Sequence, residues 1–246
     1  FWKLGETCST AYLIRWLGKL LQLEGQSFYG DLIERSIYNG LFAAQSPDGR
    51  RLRYYSPLEG PRIYFDLDTY CCPCNYRRIV SELPEMIYYK TEEGVAVNLY
   101  AESSAELEIQ PGIPLTIRQE TDYPNSGEVG ICLEPAQATE FALKLRIPRW
   151  CRQAEISING RDSIREVAGG TFVTLHRQWQ SGDRVRLAMP MEWRVVKGRK
   201  SQAGRVAVMR GPQLFCLNPE RQENFPPDFM RRMAIDPASL QLGEPD

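Results

Sequence analysis

The spacing of apolar residues predicts three helices in the first part of the chain. A helix with one buried face carries an apolar residue every three or four positions. In the first predicted helix these are Leu13, Ile14, Trp16, Leu17, Leu20, Leu21 and Leu23, and in the second Phe28, Leu32, Ile33, Ile37 and Leu41. Ser9 and Thr10 are candidate caps of the first helix, and Gly25 offers its stop. A third helix is predicted over residues 75–89, kinked or shortened at Pro84 because proline supplies no amide donor.

From about Gly94 the apolar period changes from helical to alternating, which predicts short strands. The predicted strands begin near Val95, Leu107, Leu115, Phe141, Ile156 and Val185. Asn159 and Gly160 are a strong hairpin signal because both residues tolerate a positive φ. Residues 47–55 are predicted to form a tight turn flanked by extended chain. Many short strands separated by turns predict an antiparallel β-sandwich.

These patterns predict a multidomain α+β protein. Its predicted domains are a helical part over residues 1–92, a β-sandwich over 93–217 and an irregular, proline-containing tail over 218–246. Three helices are too few for a self-sufficient bundle of this hydrophobicity. We therefore expect them to be the C-terminal portion of a larger helical barrel whose earlier helices precede Phe1.

Composition and charge exclude several classes of function. The chain has 246 residues and a net charge of −1, with 30 Lys and Arg against 31 Asp and Glu, so we predict neither a nucleic-acid partner nor an anionic membrane. No apolar run approaches the roughly 18–20 residues that span a bilayer. The single histidine, His176, excludes a zinc site built from several histidines, and phosphate-binding glycine motifs are missing.

The remaining candidate chemistry belongs to thiols and carboxylates. The chain contains seven cysteines, and the grouping of four of them at positions 8, 71, 72 and 74 indicates reduced thiols, which favours a cytoplasmic location. Neighbouring cysteines such as Cys71 and Cys72 rarely bond to each other because the small ring is strained. Zinc accepts thiolate and carboxylate ligands, and Glu6, Cys8, Cys71 and Cys72 could supply them. Buried free cysteines and a purely structural zinc site remain alternatives. The others, Cys132, Cys151 and Cys216, are predicted to be core or surface residues without function.

A series of motifs runs in a fixed order along almost the whole chain, as far as about Leu217. The motifs are Gly5-Glu-Thr-Cys8, residues 32–40, Asp48-Gly49, Tyr70-Cys-Cys-Pro73 with Asn75, residues 97–100, residues 145–150, Trp179 with residues 182–185, and Arg210-Gly-Pro212. In this order they resemble glycoside hydrolase family 127, the β-L-arabinofuranosidase type. The Glu-Thr-Cys and Cys-Cys-Pro elements are the specific ones.

The resemblance implies an (α/α)6 catalytic barrel followed by β-sandwich domains, and a retaining glycosidase with a zinc-bound cysteine nucleophile. It implies that Glu6, Cys8 and Cys72 are zinc ligands, and that Cys71 is both ligand and nucleophile. Tyr54 matches a sugar-contacting tyrosine. The implied substrate is a carbohydrate, a plant-wall arabinofuranoside or a related sugar, and the covalent intermediate would be a thioglycoside.

Two features of the sequence differ from the family's pattern. The family's acid/base glutamate and pocket histidines lie upstream of the Glu-Thr-Cys element, in a part that would precede Phe1. We therefore expect the chain alone to be inactive. Cys74 stands where the family usually has proline. With Cys8, Cys71 and Cys72 it could form a closed four-thiolate zinc site without Glu6, which would be structural.

Two other classes of function stay open. A non-catalytic carbohydrate-binding or structural β-sandwich protein with a structural zinc site could use Trp150, Trp179 and Trp193 for stacking, although each tryptophan is predicted to be a core residue. A redox or metal-storage protein built on the cysteines is the third hypothesis. A homodimer is possible in each case.

Overall fold

The computed structural model describes residues 5–57, 62–65 and 70–216. It divides into two compact units, Phe1–Pro190 and Met191–Asp246. The predicted domain bounds 1–92 and 93–217 stay predictions, and the predicted tail 218–246 lies outside the described residues. Among the described helices, none combines the length and apolar character needed to cross a bilayer.

The first unit begins with the three helices that the apolar spacing predicts. These are α1 (Thr7–Glu24), α2 (Ser27–Ser36) and α3 (Cys71–Glu82). A π-helical turn (Ile37–Leu41) and a 3-10 turn (Phe42–Ala44) extend α2, and a 3-10 turn (Leu83–Met86) follows α3.

Two predicted helix starts are wrong. Helix α1 begins at Thr7, so Ser9 and Thr10 lie inside it and are not caps. Helix α3 begins at Cys71, four residues before the predicted start, and its α-helical part ends just before the 3-10 turn that contains Pro84. Both helices therefore begin next to the candidate metal ligands.

Of the two apolar stripes on α1, one is buried among the residues that the structure describes and the other is exposed. The buried stripe is Ala11, Ile14, Leu17 and Leu21, which pack with Ile33, Ile37, Leu41 and Ile79 of the other helical segments. The second stripe points to solvent: Leu13, Trp16 and Leu23 are 47%, 66% and 81% exposed. Phe28, predicted on the buried face of the second helix, is also exposed.

Among the described residues, ten strands complete the first unit. They are β1 (Tyr88–Thr91), β2 (Gly94–Val97), β3 (Ser103–Gln110), β4 (Ile113–Thr121), β5 (Glu128–Pro135), β6 (Thr139–Ile147), β7 (Gln153–Ile158), β8 (Asp162–Ala168), β9 (Thr171–Trp179) and β10 (Asp183–Ala188). They form a four-stranded sheet of order β1-β2-β6-β9 and a six-stranded sheet of order β3-β4-β5-β10-β7-β8. The pairing is antiparallel except between β2 and β6, which are parallel, so the sandwich is not purely antiparallel as predicted. The predicted turn at Asn159 and Gly160 is confirmed, with φ of 52° and 69°.

Strand β6 is the central element of the first unit because it is buried along almost its whole length. Arg146 faces α2, and its partner across the ladder, Phe172 on β9, packs against the helical core. Phe141 and Trp179 belong to the opposite face of this sheet and are buried in the sandwich. The four-stranded sheet thus supports the helices on one face and the sandwich core on the other.

A buried ion cluster fixes α2 to β6. The guanidinium of Arg146, which is fully buried, lies 2.7 Å from Asp31 Oδ1 and 2.7 Å from Glu34 Oε1. The Tyr123 hydroxyl and the Trp150 indole also donate to the Glu34 carboxylate, at 2.6 and 3.1 Å. Because a buried charge is costly unless it is paired, this cluster holds the helices at a defined position on the sheet.

The second unit contains a three-stranded antiparallel sheet. Its strands are β11 (Trp193–Lys197), β12 (Val206–Arg210) and β13 (Gln213–Phe215), with a 3-10 turn (Lys200–Gln202) between the first two. The rings of Trp193 and Phe215 meet edge to face, with their centroids 4.7 Å apart. Residues 194–205 contribute most of β11 and the 3-10 turn of this unit.

Candidate metal centre

The first turns of α1 and α3 converge on one point. Glu6 directly precedes α1, Cys8 lies in its first turn, and Cys71 and Cys72 are the first two residues of α3. Farther along the helices, Arg15 of α1 forms a two-pronged ion pair with Glu82 of α3, at 2.9 and 2.5 Å. The free amide groups and the positive end of the helix dipole favour negative charge at both N-termini.

An extended segment anchors the start of α1. The Thr7 amide donates to the Tyr54 carbonyl at 3.0 Å, and the Ser56 amide donates to the Gly5 carbonyl at 2.9 Å. Gly5 has φ +85°, and a Cβ on it would lie 3.0 Å from the Ser56 carbonyl oxygen. A glycine is needed at this position because the backbone is left-handed and closely packed. This pairing also brings Tyr54 to the edge of the cysteine cluster.

Four candidate ligand atoms lie within 4.8 Å of one another, one each from Glu6, Cys8, Cys71 and Cys72. The Cys8 sulfur is 3.3 Å from the sulfurs of both Cys71 and Cys72. The Cys71 sulfur is 3.8 Å from Glu6 Oε1. Cys8 and Cys72 are buried, whereas Cys71 is exposed. The structure thus brings together the four residues that the sequence singled out, with one thiol open to solvent.

Hydrogen bonds distinguish the buried sulfurs from the exposed one. The Asn75 amide nitrogen donates to the Cys8 sulfur at 3.2 Å, and the Cys8 backbone amide donates to the Cys72 sulfur. Burial raises the pKa of the Cys8 thiol, and the Asn75 hydrogen bond opposes this increase. Burial likewise raises the pKa of the Cys72 thiol against the hydrogen bonds from Cys8. Without a cation, these two sulfurs are therefore held as neutral thiols.

Tyr54 stands beside the exposed thiol. Its hydroxyl lies 3.9 Å from the Cys71 sulfur, and this contact raises the pKa of the phenol. The rings of Tyr55, Tyr70 and Phe65 surround the Tyr54 ring, with centroid distances of 4.5, 5.7 and 5.8 Å. The Tyr54 ring is thus held by aromatic contacts, and its hydroxyl faces Cys71.

Cys74 is not part of the cluster of donor atoms. Among the described residues, the group that could hold a metal contains Glu6, Cys8, Cys71 and Cys72, and Cys74 is an exposed thiol outside it. The geometry therefore favours a set with one carboxylate over the four-thiolate alternative.

Other sequence predictions have mixed outcomes. Cys132 of β5 and Cys151, between β6 and β7, are buried, as expected for core residues, and Cys216 is exposed. His176 is a strand residue, 3.5 Å from the Glu140 carboxylate. Trp179 is fully buried and cannot stack on a sugar. Trp150 and Trp193 are only partly buried, so the prediction that they are core residues is wrong in that respect.

Asn75 is a site residue whose contact with Cys8 does not follow from the sequence pattern. It belongs to the Cys-Cys-Pro motif, but the motif assigns it no role. Its position four residues after Cys71 on the same helix was the available signal, because residues at this spacing share a helix face.

Two family profiles match consecutive parts of the chain. The profile of the catalytic domain of family 127 β-L-arabinofuranosidases matches residues 2–85, and that of the family 127 middle domain matches residues 94–191. A non-reducing end β-L-arabinofuranosidase of Bifidobacterium longum subsp. longum is 30% identical over 235 residues, which cover 86% of this chain and 35% of that protein.

Solved structures agree with the profiles. The crystal structure of a family 127 β-L-arabinofuranosidase from Geobacillus stearothermophilus T6 superposes with a TM-score of 0.79 at 35% identity, covering 85% of this chain and 36% of that one. A second solved glycoside hydrolase superposes with a TM-score of 0.78 at 28% identity, covering 85% and 37% of the two chains. The chain thus spans about a third of the length of the relatives that it matches.

Proposed function

The chain belongs to glycoside hydrolase family 127, and from this we propose that it provides the metal-binding nucleophile site of a retaining β-L-arabinofuranosidase. In this proposal Glu6, Cys8, Cys71 and Cys72 hold a Zn²⁺ ion, and Cys71 attacks the anomeric carbon of the sugar. The observation that carries the proposal is the convergence of these four ligand atoms within 4.8 Å.

The donor set fits zinc by its chemistry and its dimensions. Three thiols and one carboxylate match the four ligands of a tetrahedral zinc site. Zinc–sulfur bonds of about 2.3 Å separate tetrahedral sulfurs by about 3.8 Å, and the Cys8 sulfur lies 3.3 Å from its two neighbours. The sulfurs would have to separate by only about half an ångström, which small side-chain rotations can supply.

When bound, zinc would keep the thiols deprotonated and fixed in position, because a coordinated thiol loses its proton outright. The buried Cys8 and Cys72 cannot meet a substrate, and each accepts an N–H hydrogen bond that reduces the charge on its sulfur. Cys71 is exposed to solvent. It is therefore the thiolate with the access that nucleophilic attack requires.

The proposed reaction has the two steps of a retaining glycosidase. A lone pair of the Cys71 sulfur forms a bond to the anomeric carbon while the bond from that carbon to the leaving oxygen breaks. A carboxylic acid protonates the leaving oxygen and then takes a proton from the water that releases the sugar from sulfur. We propose that this acid comes from the part of the protein that corresponds to the unmatched two thirds of the relatives.

We propose that Tyr54 contacts the sugar. Its ring is fixed between Tyr55, Tyr70 and Phe65, and its hydroxyl faces Cys71. A sugar carbon bonded to the Cys71 sulfur would bring ring hydroxyl groups within reach of this phenol. An aromatic ring with a polar end can pack against a sugar face and hydrogen-bond to it.

The exposed stripe of α1 supports a larger helical barrel. Leu13, Trp16 and Leu23 recur at helical spacing, and Leu20 continues the stripe between them. Apolar stripes of this kind normally pack against another helix. We propose that further helices of an (α/α)6 barrel cover it. The possible homodimer and the cytoplasmic location stay predictions.

The first test is the zinc content of the protein purified under reducing conditions. We expect about one zinc per chain, lost in Cys72→Ser and retained in Cys132→Ser, which alters a buried cysteine of the sandwich. Zinc that remains in Cys72→Ser, or a folded protein that never holds zinc, would contradict the proposed site.

The second test concerns catalysis by the full-length protein. Cys71→Ser should lower kcat on a β-L-arabinofuranoside by a factor on the order of 10³ or more, because a nucleophile has been removed. A slow substrate should leave a sugar adduct on Cys71 that mass spectrometry detects. Normal turnover by Cys71→Ser would exclude this cysteine as the nucleophile. Sugar binding that survives removal of the helices, without hydrolysis, would favour the carbohydrate-binding alternative.

A further inference from the structure

Cys74 lies in the first turn of α3 without belonging to the metal cluster. We propose that Cys71 and Cys74 form a reversible redox pair, in which a disulfide between them withdraws the Cys71 sulfur from the metal site. Loss of activity on oxidation rests on the proposed function. The choice of Cys74 as the partner of Cys71 rests on the proposed metal site, in which Cys8 and Cys72 are ligands.

The local sequence and the helix place the two thiols at a suitable spacing. Residues 71–74 read Cys-Cys-Pro-Cys, a C-x-x-C motif, and α3 begins at its first cysteine. Residues three positions apart in a helix share a face, and their Cα atoms are about 5 Å apart. Disulfides span Cα distances of roughly 4.4–6.8 Å. Side-chain rotation can therefore close the bond without moving the backbone far.

Exposure decides which thiol reacts first. Cys71 and Cys74 are both exposed, whereas Cys8 and Cys72 are buried. In the metal-loaded site the sulfurs of Cys8, Cys71 and Cys72 are ligands, which leaves Cys74 as the exposed thiol of the motif that is free to react. A thiolate attacks a disulfide sulfur through a mixed disulfide. Cys74 is thus the entry point for a small disulfide such as oxidised glutathione.

The exchange balances in two steps. The Cys74 thiolate attacks the small disulfide, forms a mixed disulfide and releases one small thiol, which takes up the proton from Cys74. The Cys71 thiolate then attacks the Cys74 sulfur and releases the second small thiolate, which takes a proton from water. Two protein thiols are oxidised to one disulfide, and the small disulfide is reduced to two thiols. The metal site loses one of its three sulfur ligands.

A disulfide from Cys8 would compete with the Cys71–Cys74 bond. The Cys8 sulfur lies 3.3 Å from those of Cys71 and Cys72, so oxidation of the metal-free protein can join Cys8 to either of them. In the zinc-loaded protein these three sulfurs are ligands. We therefore expect the Cys71–Cys74 bond in the zinc-loaded protein, and the experiment has to begin with that form.

The test treats the zinc-loaded protein with oxidised glutathione. Released zinc is measured with a chromogenic chelator, and disulfides are located by differential alkylation and fragmentation of the peptide that contains residues 71–74. We expect zinc release in step with a Cys71–Cys74 bond, preceded by glutathione on Cys74. A dithiol reductant with added zinc should restore the metal site.

Two variants test whether zinc release depends on Cys74. Cys74→Ser should slow zinc release at least tenfold. Cys216→Ser, which alters an exposed cysteine of the second unit, should leave the rate unchanged. Equal release from Cys74→Ser and the unaltered protein would overturn the proposal. So would a bond from Cys8 in the loaded protein, or glutathione that stays on Cys74 while zinc is retained.

The outcome separates this proposal from the proposed catalysis. A Cys71–Cys74 bond with zinc release, in a full-length protein that does not hydrolyse β-L-arabinofuranosides, would exclude the catalysis and support the redox pair. An active enzyme that keeps its zinc under oxidation would exclude the redox pair alone. A folded protein that never binds zinc would exclude both.

Discussion

The side-chain amide of Asn75 donates a hydrogen bond to the Cys8 sulfur at 3.2 Å, across the contact between α3 and α1. The orientation of this amide follows from its other neighbours. Its oxygen accepts from the Tyr12 hydroxyl and from the Arg78 guanidinium, both at 3.5 Å. Because a guanidinium can only donate, the oxygen faces Arg78 and the nitrogen faces the sulfur. Asn75 therefore holds Cys8 in place from outside the ligand set.

The first prediction is that Asn75→Ala weakens zinc binding by roughly 10–100-fold, the usual effect of losing a group that orients a metal ligand. The variant should still fold, because Asn75 is only partly buried. Competition with a chelator of known zinc affinity measures the change. Asn125→Ala, which alters an exposed asparagine in a sandwich loop, is the matched control. An unchanged affinity in Asn75→Ala would show that the hydrogen bond does not support Cys8.

The second prediction concerns the buried ion cluster. Glu34→Ala should lower the free energy of unfolding by about 3–5 kcal/mol, because it leaves part of a buried guanidinium charge unpaired. The Tyr123 hydroxyl and the Trp150 indole lose their acceptor as well. Glu120→Ala removes the exposed pair with Arg184 and should cost at most about 1 kcal/mol. Denaturant unfolding of the two variants compares them. Equal costs would mean that the buried cluster is unimportant for stability.

The third prediction compares two helical glycines. A Cβ on Gly30 of α2 would overlap Asn98 Oδ1 and lie 2.5 Å from Arg146 Cδ. Gly30→Ala should therefore destabilise the protein by roughly 1–3 kcal/mol through overpacking. A Cβ on Gly18 of α1 would make ordinary contacts, 3.4 Å from the flexible end of Met86 and 4.0 Å from the Tyr89 hydroxyl. Gly18→Ala should be neutral or stabilise by up to about 1 kcal/mol, since alanine favours a helix. Thermal unfolding measures both variants, and a harmless Gly30→Ala would contradict the close packing of α2 on β6.

The fourth prediction is a pH dependence from Tyr89. Burial raises the pKa of Tyr89 to about 12, from an ordinary value of 10.0. Between these values the folded state keeps a proton that the unfolded state has lost. The free energy of unfolding therefore falls as the pH rises above 10, by at most about 1.4 kcal/mol per pH unit. Below pH 10 the tyrosine is protonated in both states, so the full stability is present.

Tyr89→Phe tests this dependence because it removes the titrating group. The Tyr89 hydroxyl is buried without a hydrogen-bond partner among the described residues. At pH 7 the variant should therefore be as stable as the unaltered protein or more stable. At pH 10.5 and above, its free energy of unfolding should exceed that of the unaltered protein by a larger amount. Chemical unfolding at both pH values gives the difference. A difference in the free energy of unfolding that is the same at both pH values would refute the predicted titration.

The sequence predicted elements better than it predicted their ends. The helical period over Leu13 to Leu23 identified α1, but Ser9 and Thr10 lie inside the helix. Helix α1 starts at Thr7 because the Thr7 amide and hydroxyl pair with residues 53 and 54, which are distant in sequence. A cap is a local signal, and here a contact made on folding replaces it. The turn at Asn159 and Gly160 was predictable because positive φ angles depend on the residues themselves.

The periods of the helices and strands and the kind of donor atoms available were predictable from the sequence, since both are properties of neighbouring residues. The four candidate ligands could be named because Glu6 and Cys8 lie in one short motif and Cys71 and Cys72 in another, and both motifs resemble those of the family. The folded structure was needed to show that Glu6 and Cys8 meet Cys71 and Cys72, that Cys74 lies outside the cluster, and that Asn75 supports Cys8. It also shows that one stripe of α1 is buried and the other exposed. These outcomes depend on how α1, α2 and α3 pack, and packing joins residues whose separation along the chain leaves no local pattern.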